Sequence, residues 1–171
     1  MLSEGQIVLR PLLDEDVPFL AKLANNKNVW DNLRDYFPHP YSEADAASFI
    51  NYVKNEKTTL SFAIEYNKEF CGVISLVPQP DVYKKTAEIG YWLGESFWGK
   101  GIMTIAVKLM TAYAFSSAFD FVRLYAGIFD YNTGSMHVLE KNGYKQEGIS
   151  QKHIFKNGKL YDEHRYFILR N

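Results

Sequence analysis

The residues best suited to chemistry form one short segment, Gly99-Lys100-Gly101, where an apolar strand pattern gives way to a helical one. Glycines at the start of a helix let backbone N–H groups approach a ligand closely. The first turn of a helix has unpaired N–H groups, and the helix dipole adds partial positive charge there. This combination favours an anion, most often a phosphate. The segment therefore predicts a phosphate-binding loop.

Two common nucleotide-binding motifs fit this loop incompletely. Gly94, Gly99 and Lys100 satisfy the spacing of a P-loop, but the next residue is Gly101 where that motif needs a Ser or Thr hydroxyl for magnesium. A dinucleotide fingerprint that begins at Gly99 and Gly101 reaches Thr104 where its third glycine should stand. A tight strand–helix turn that binds nothing is the alternative without a function.

The elements that flank the loop are defined by their periodicity. Apolar and polar residues alternate over residues 87–93, as in a strand with one buried face. From Ile102 the apolar residues follow helical spacing. They are Ile105, Ala106, Leu109, Met110, Tyr113 and Ala114. The predicted order of strand, loop and helix places the glycines at the N-terminus of a long helix, which we expect to end near Asp120.

The composition is that of a folded protein with one core. The chain has 171 residues, of which 47% are hydrophobic and 16% aromatic, and its formal net charge is -1. We expect a single domain over residues 1–171, with no general attraction to nucleic acid or membranes. Met1 to Gln6 lack the apolar segment of a signal peptide, and the lone Cys71 suits a reducing compartment. We therefore expect a cytoplasmic protein.

The remaining patterns give the order β-α-α-β-β-β-α-β-α-β-β. Strands cluster before the main helix, which predicts an α+β domain with a mixed sheet. Phe19, Leu20 and Leu23 are expected to form the apolar face of the first helix. The other predicted elements are strands at 7–12, 60–66, 70–77 and 122–129, helices at 42–57 and 132–142, and a hairpin of strands 144–155 and 159–169 across Asn157-Gly158.

The same order and several motifs resemble the GNAT superfamily of N-acetyltransferases. The loop Trp98-Gly99-Lys100-Gly101-Ile102-Met103 resembles its pyrophosphate loop, although Trp98 and Met103 depart from the general consensus. Together with the preceding Gly-Tyr-Trp-Leu and the later Val138–Tyr144, the loop is similar to the branch that acetylates the N-termini of ribosomal proteins. The resemblance covers nearly the whole chain. It implies the GNAT (acyl-CoA N-acyltransferase) fold, a mostly antiparallel sheet of about seven strands with four helices and splayed central strands, opened by a bulge.

The resemblance also implies acetyl-CoA as cofactor and assigns its contacts. Backbone groups of one strand segment would bind the pantetheine arm, amides of the glycine loop would bind the pyrophosphate, and a later asparagine would also contact the arm. The residues concerned are Tyr91, Trp92, Leu93, Trp98, Gly99, Lys100, Gly101, Ile102, Met103, Thr104 and Asn132.

Catalytic candidates follow from the chemistry of acetyl transfer, which needs a free amine and an acid for the leaving sulfur. Glu88 is expected to take the amine proton through water, unless it is only a surface carboxylate. Many relatives use a tyrosine as the acid, but this chain has Leu139 at that position, so Ser135 or a water must serve. Asn132 is either a helix N-cap, a contact to the reacting groups, or both.

The aromatic segment between the first two helices is the candidate wall of the acceptor pocket, although these residues could simply cover the core. Its residues are Trp30, Leu33, Phe37, His39 and Tyr41. The four histidines lack the spacing of metal ligands, so we expect no metal.

The predicted function is acetyl transfer to a primary amine by direct transfer in a ternary complex, with the N-terminal α-amine of a protein or peptide as the expected acceptor. A small amine such as a polyamine, amino acid or antibiotic is one alternative acceptor. A non-catalytic acyl-CoA-binding module, suggested by the missing tyrosine, is another alternative. Many members of the family dimerise, so the resemblance also allows a homodimer.

Overall fold

The computed structural model describes residues 1–55 and 59–170. Its strands are β1 Leu2–Glu4, β2 Ile7–Pro11, β3 Leu60–Tyr66, β4 Glu69–Pro78, β5 Thr86–Leu93, β6 Arg123–Phe129, β7 Lys145–Lys156 and β8 Lys159–Leu169. Its helices are α1 Val17–Ala24, α2 Lys27–Trp30, α3 Glu43–Asn55, α4 Ile102–Ala114 and α5 Thr133–Lys141, with short 3-10 turns at Asp14–Asp16, Asp81–Tyr83 and Glu95–Phe97.

The strands form one mixed sheet in the order β1-β2-β3-β4-β5-β6-β8-β7. Neighbouring strands are antiparallel except for β5 and β6, which are parallel and pair at only three positions, from Thr86 with Arg123 to Glu88 with Tyr125. Beyond Glu88 the two strands separate. The predicted α+β GNAT fold with splayed central strands is confirmed.

Hydrophobic side chains cover both faces of the sheet. On one face, α4 buries Ile102, Ala106 and Met110 against the central strands. On the other face, Leu20 of α1 and Ile50 of α3 pack in a second cluster. A capping box fixes the start of α3, because Ser42 and Asp45 bond each other's backbone N–H groups. The two helical layers leave the gap between β5 and β6 as the opening of the sheet.

Four details differ from the sequence expectations. The described residues contain eight strands and five α-helices, because β1 precedes the expected first strand and α2 forms where the first helix was expected to end. Phe19 is 55% exposed, since Leu20, Ala21 and Ala24 form the buried face of α1. Helix α4 stops at Ala114, several residues before Asp120.

The fourth difference concerns the expected bulge. The register of β5 against β4 runs without a shift from Ala87 to Leu93, so the splay arises where β6 leaves β5. The predicted end of the second helix near Lys57 lies outside the described residues; the described part of that helix is Glu43–Asn55. None of the described helices is both long enough and apolar enough to cross a bilayer.

Candidate active site

The start of α4 is shaped by two glycines in the left-handed region of backbone conformation. Gly99 has φ 73° and Gly101, the N-cap residue, has φ 75°. A Cβ at either position would meet no atom within 4 Å, so the backbone conformation and not crowding accounts for glycine there. No side chain caps the helix. Its first N–H groups are therefore available to an anion.

Trp98 fastens this loop to the end of β5. Its indole N–H donates to the carbonyl oxygen of Leu93 at 2.9 Å. The ammonium of Lys100 lies over the ring of Phe97, 5.3 Å from its centroid. This hydrogen bond ties the Trp98 side chain to the backbone of Leu93. Trp98 therefore holds in place part of the strand that is predicted to contact the cofactor.

The separation of β5 from β6 exposes one backbone edge. On its other edge β5 pairs with β4 as far as Leu93 with Gly72. Among the described residues, the backbone groups of β5 beyond Glu88 have no strand partner on the β6 side. An extended amide-containing ligand can bond to such an edge as an added strand.

Two cavities meet at this gap. The smaller, about 580 Å³, contains the glycine loop and the start of α5. The larger, about 860 Å³, lies on the other side of the gap under α3 and the α2–α3 loop. Six residues line both cavities: Asn32, Leu33, Tyr91, Trp92, Asn132 and Ser135. Ligands bound in the two cavities would therefore come together beside these residues.

The first turn of α5 brings Asn132 and Ser135 to the junction. The Asn132 side-chain oxygen accepts the backbone N–H of Ser135 at 3.2 Å, so Asn132 is a helix N-cap that also lines both cavities. The Ser135 hydroxyl lies 2.8 Å from the phenolic oxygen of Tyr91. Burial raises the pKa of Tyr91, which keeps the phenol protonated at neutral pH.

Glu88 lies at the point where β5 and β6 separate, and it lines the larger cavity. Its carboxylate is paired with the guanidinium of Arg34 from the α2–α3 loop. The side chain of Glu88 is 18% exposed and that of Arg34 is 56% exposed. Burial and then the charge of Glu88 raise the pKa of neighbouring Tyr125. A carboxylate therefore faces the larger cavity, paired with a cation that is more exposed than itself.

The predicted acceptor wall divides into two groups. Leu33, Phe37 and Tyr41 line the larger cavity. Phe37 stacks on Tyr41, with ring centroids 4.6 Å apart. Trp30 and His39 are not among the described residues that line either cavity; their rings stack on each other 5.6 Å apart.

Sequence reasoning missed several residues of this site. Arg34 belongs to no recognisable sequence motif, so nothing in the sequence marked it as part of the site. Ser61 and Ser75 pair across β3 and β4, with hydroxyl oxygens 2.7 Å apart, and they line the larger cavity. Their signal was available, because each serine interrupts an apolar strand on the face that also carries Gly90. These small residues form the floor of the larger cavity.

The fold and the site combine a split sheet, a glycine loop that opens a helix, and two cavities that share a junction, which is the arrangement expected of an acyltransferase. A family model described as an acetyltransferase (GNAT) domain matches residues 6–145. The chain belongs to the GNAT acetyltransferase family and is an acetyl-CoA-dependent N-acetyltransferase. This membership sets aside the P-loop and dinucleotide alternatives for the glycine loop, and it favours an enzyme over a non-catalytic module.

Relatives differ in the acceptors that their names state. A Bacillus subtilis protein named probable N-acetyltransferase YjcK is 36% identical, covering 100% of this chain and 97% of its own. The spermidine N(1)-acetyltransferase of Escherichia coli K12 is 27% identical over 100% of this chain and 90% of its own. The solved structure of RimL, a ribosomal L7/L12 alpha-N-protein acetyltransferase in complex with coenzyme A, has a TM-score of 0.85 at 24% identity, covering 97% and 95% of the two chains. The expected branch is thus among the structural neighbours, while the sequence relatives leave the acceptor undetermined.

Proposed function

We propose that this enzyme acetylates the free α-amine of a protein or peptide N-terminus by direct transfer while both substrates are bound. The observation that carries the proposal is the junction of the two cavities at Tyr91, Trp92, Asn132 and Ser135. An amine that enters through the larger cavity would reach a thioester held in the smaller one without a covalent enzyme intermediate.

The residues of the smaller cavity fit acetyl-CoA. The amides from Gly99 to Thr104 would hold its pyrophosphate, and the free edge of β5 from Tyr91 to Leu93 would bond its pantetheine amides. A backbone N–H near Trp92 or Leu93 would stabilise the oxyanion as the amine adds. The cofactor supplies the activated acetyl group as a thioester.

Proton transfer is assigned to two side chains on opposite sides of the gap. Glu88 would accept the amine proton through a water, as its place in the larger cavity allows. Ser135 would donate to the sulfur as the carbon–sulfur bond breaks. Leu139 is fully buried in the core, so the side chain at the usual tyrosine position takes no part.

The charge of the larger cavity favours an α-amine over a polyamine. Its described lining has one cationic side chain, Arg34, and two anionic ones, Asp45 and Glu88. The hydrogen bonds from Ser42 lower the pKa of Asp45, whose carboxylate also caps α3. Glu88 is already paired with Arg34. In the described lining only Asp45 lacks a cationic partner, so a polycation with several ammonium groups would find a single uncompensated negative charge here.

The free energy needed to deprotonate the amine points the same way. Freeing an α-amine with a pKa of about 8 costs about 1.4 kcal/mol at pH 7, whereas a lysine amine with a pKa of about 10.4 costs about 4.6 kcal/mol. The described lining of the larger cavity, through which the amine would enter, provides carboxylates but no histidine or lysine. A small polyamine is the second candidate acceptor, because a relative named spermidine N(1)-acetyltransferase aligns with the whole of this chain.

A thiol-release assay with matched acceptors tests the proposal. The acceptors are a short peptide with a free N-terminus, the same peptide N-acetylated but carrying one lysine, and spermidine. We expect kcat/KM for the free N-terminus to exceed both others by at least about tenfold, in line with the deprotonation costs. A preference for spermidine would replace the proposal with the second candidate.

A further inference from the structure

We propose that Tyr91 is a positioning residue for the leaving-group acid: its phenol donates a hydrogen bond to Ser135 Oγ, which directs the serine's own hydrogen toward the thioester sulfur. The inference rests on the proposed role of Ser135. The pair of Tyr91 and Ser135 supplies what the buried Leu139 cannot: a hydroxyl group held in one orientation at the junction of the two cavities.

The geometry that carries this inference is the contact between β5 and α5. The Tyr91 oxygen lies 2.8 Å from Ser135 Oγ and 3.4 Å from the Ser135 carbonyl oxygen. The nearer oxygen is the better acceptor for the phenolic hydrogen. Both residues line both cavities. The pair is therefore placed where the sulfur of a cofactor in the smaller cavity would meet an amine from the larger one.

The two ends of the pair are fixed by different elements. Ser135 lies in the first turn of α5, where its own backbone N–H is bonded to the Asn132 side chain. Tyr91 belongs to β5, which pairs with β4 on one side. A serine hydroxyl alone rotates among several orientations. When the Tyr91 phenol donates to Ser135 Oγ, the serine's own hydrogen is not used in that hydrogen bond and can point toward the sulfur.

The proton balance assigns Tyr91 no net transfer. In the reaction a carbon–nitrogen bond forms and the carbon–sulfur bond breaks. The amine loses one proton and the sulfur gains one. Ser135 gives its hydrogen to the sulfur, and the proton that Glu88 takes from the amine through a water then passes through solvent to restore the serine hydroxyl. Burial of Tyr91 keeps its phenol protonated throughout, so it orients the serine and remains unchanged.

A double-mutant cycle tests the inference. The variants are Tyr91→Phe, Ser135→Ala, the double variant, and Ser135→Thr as the conservative replacement that keeps a hydroxyl. We expect Tyr91→Phe to lower kcat about tenfold, the effect of one lost hydrogen bond, with KM for acetyl-CoA unchanged. Ser135→Ala should lower kcat about a hundredfold or more, and the double variant no further. Ser135→Thr should retain more activity than Ser135→Ala.

Tyr144→Phe is the matched control. Tyr144 is another buried phenol, 3% exposed, whose oxygen lies 2.9 Å from Thr111 Oγ1. It is not among the described residues that line either cavity. Its loss should affect thermal stability about as much as Tyr91→Phe while leaving kcat unchanged. This separates an effect on chemistry from an effect on folding.

The outcomes distinguish the inference from the function on which it rests. Unchanged or higher kcat in Tyr91→Phe, with a large loss in Ser135→Ala, overturns the inference alone, because the serine would then not need the phenol. Additive losses in the double variant also overturn it. Full activity in Ser135→Ala would show that Ser135 is not the acid, and the positioning role of Tyr91 would then be wrong as well. Absence of turnover by the wild-type enzyme on every amine tested overturns the proposed function itself.

Discussion

Lys156 provides the most informative test of how the acceptor wall is held in place. It lies at the end of β7, and its side chain is only 2% exposed. Its ammonium donates to the Leu33 carbonyl at 2.9 Å and to the Asp35 carboxylate at 2.5 Å. It also lies 3.2 Å from the centroid of the Trp30 ring. One buried cation therefore joins the tip of the β7–β8 hairpin to the α2–α3 loop.

Replacement by methionine keeps most of the apolar stem and removes the charge. The hydrogen bond to Leu33 is worth about 1.5–3 kcal/mol because the donor is charged, and the cation–π contact about 0.5–2 kcal/mol. Asp35 has a side chain 64% exposed, so that ion pair adds at most about 1 kcal/mol. Relief of the desolvation of the ammonium offsets part of this loss. We expect Lys156→Met to lower the free energy of unfolding by about 2 kcal/mol.

Urea unfolding followed by tryptophan fluorescence measures this change. Lys159→Met is the matched control, since Lys159 is the cross-strand partner of Lys156 and is exposed. It should stay within about 0.5 kcal/mol of the wild type. Leu33 lines both cavities, so Lys156→Met should also raise the acceptor KM several-fold. Wild-type stability in Lys156→Met would refute the reasoning about the buried cation.

Three further predictions concern the sheet beneath the site. Gly72→Ala should lower the free energy of unfolding by about 1–3 kcal/mol, because its Cβ would lie 2.2 Å from the Trp92 carbonyl oxygen; calorimetry that finds wild-type stability would contradict this. Gly90→Val adds a side chain to the cavity floor where a Cβ meets nothing within 4 Å, so it should fold normally and raise the acceptor KM while the KM for acetyl-CoA stays unchanged; equal changes in both constants would count against the assignment of the larger cavity. Burial raises the pKa of the Cys71 thiol to about 12 from 9.0, so its contribution to stability is complete below about pH 9 and is lost as the pH rises toward 12. Cys71→Ala should therefore lose less unfolding free energy than the wild type between pH 8 and about 10.5, and parallel pH profiles would show that the thiol does not contribute.

Features set by neighbouring residues could be predicted from the sequence. The helical period from Ile102 located α4, and the two glycines before it marked a backbone with positive φ. Asn157-Gly158 located the β7–β8 hairpin for the same reason, since both residues have positive φ. Each signal depends only on the residues of one short segment.

Contacts between distant segments could not be predicted. Tyr91 and Ser135 are 44 residues apart, Arg34 and Glu88 are 54 apart, and Leu33 and Lys156 are 123 apart. Such pairs depend on the order of strands in the sheet and on the direction of each side chain. Periodicity constrains a side chain's face but does not identify its partner.

The central claim is that the cofactor and the acceptor meet in the gap between β5 and β6. A crystal structure of the enzyme with coenzyme A and an acceptor peptide tests it most directly. We predict the pyrophosphate on the amides of Gly99 to Thr104, the sulfur beside Ser135, and the peptide amine entering from the side of Glu88. A cofactor bound away from the glycine loop, or a peptide amine that does not reach the gap, would contradict the account.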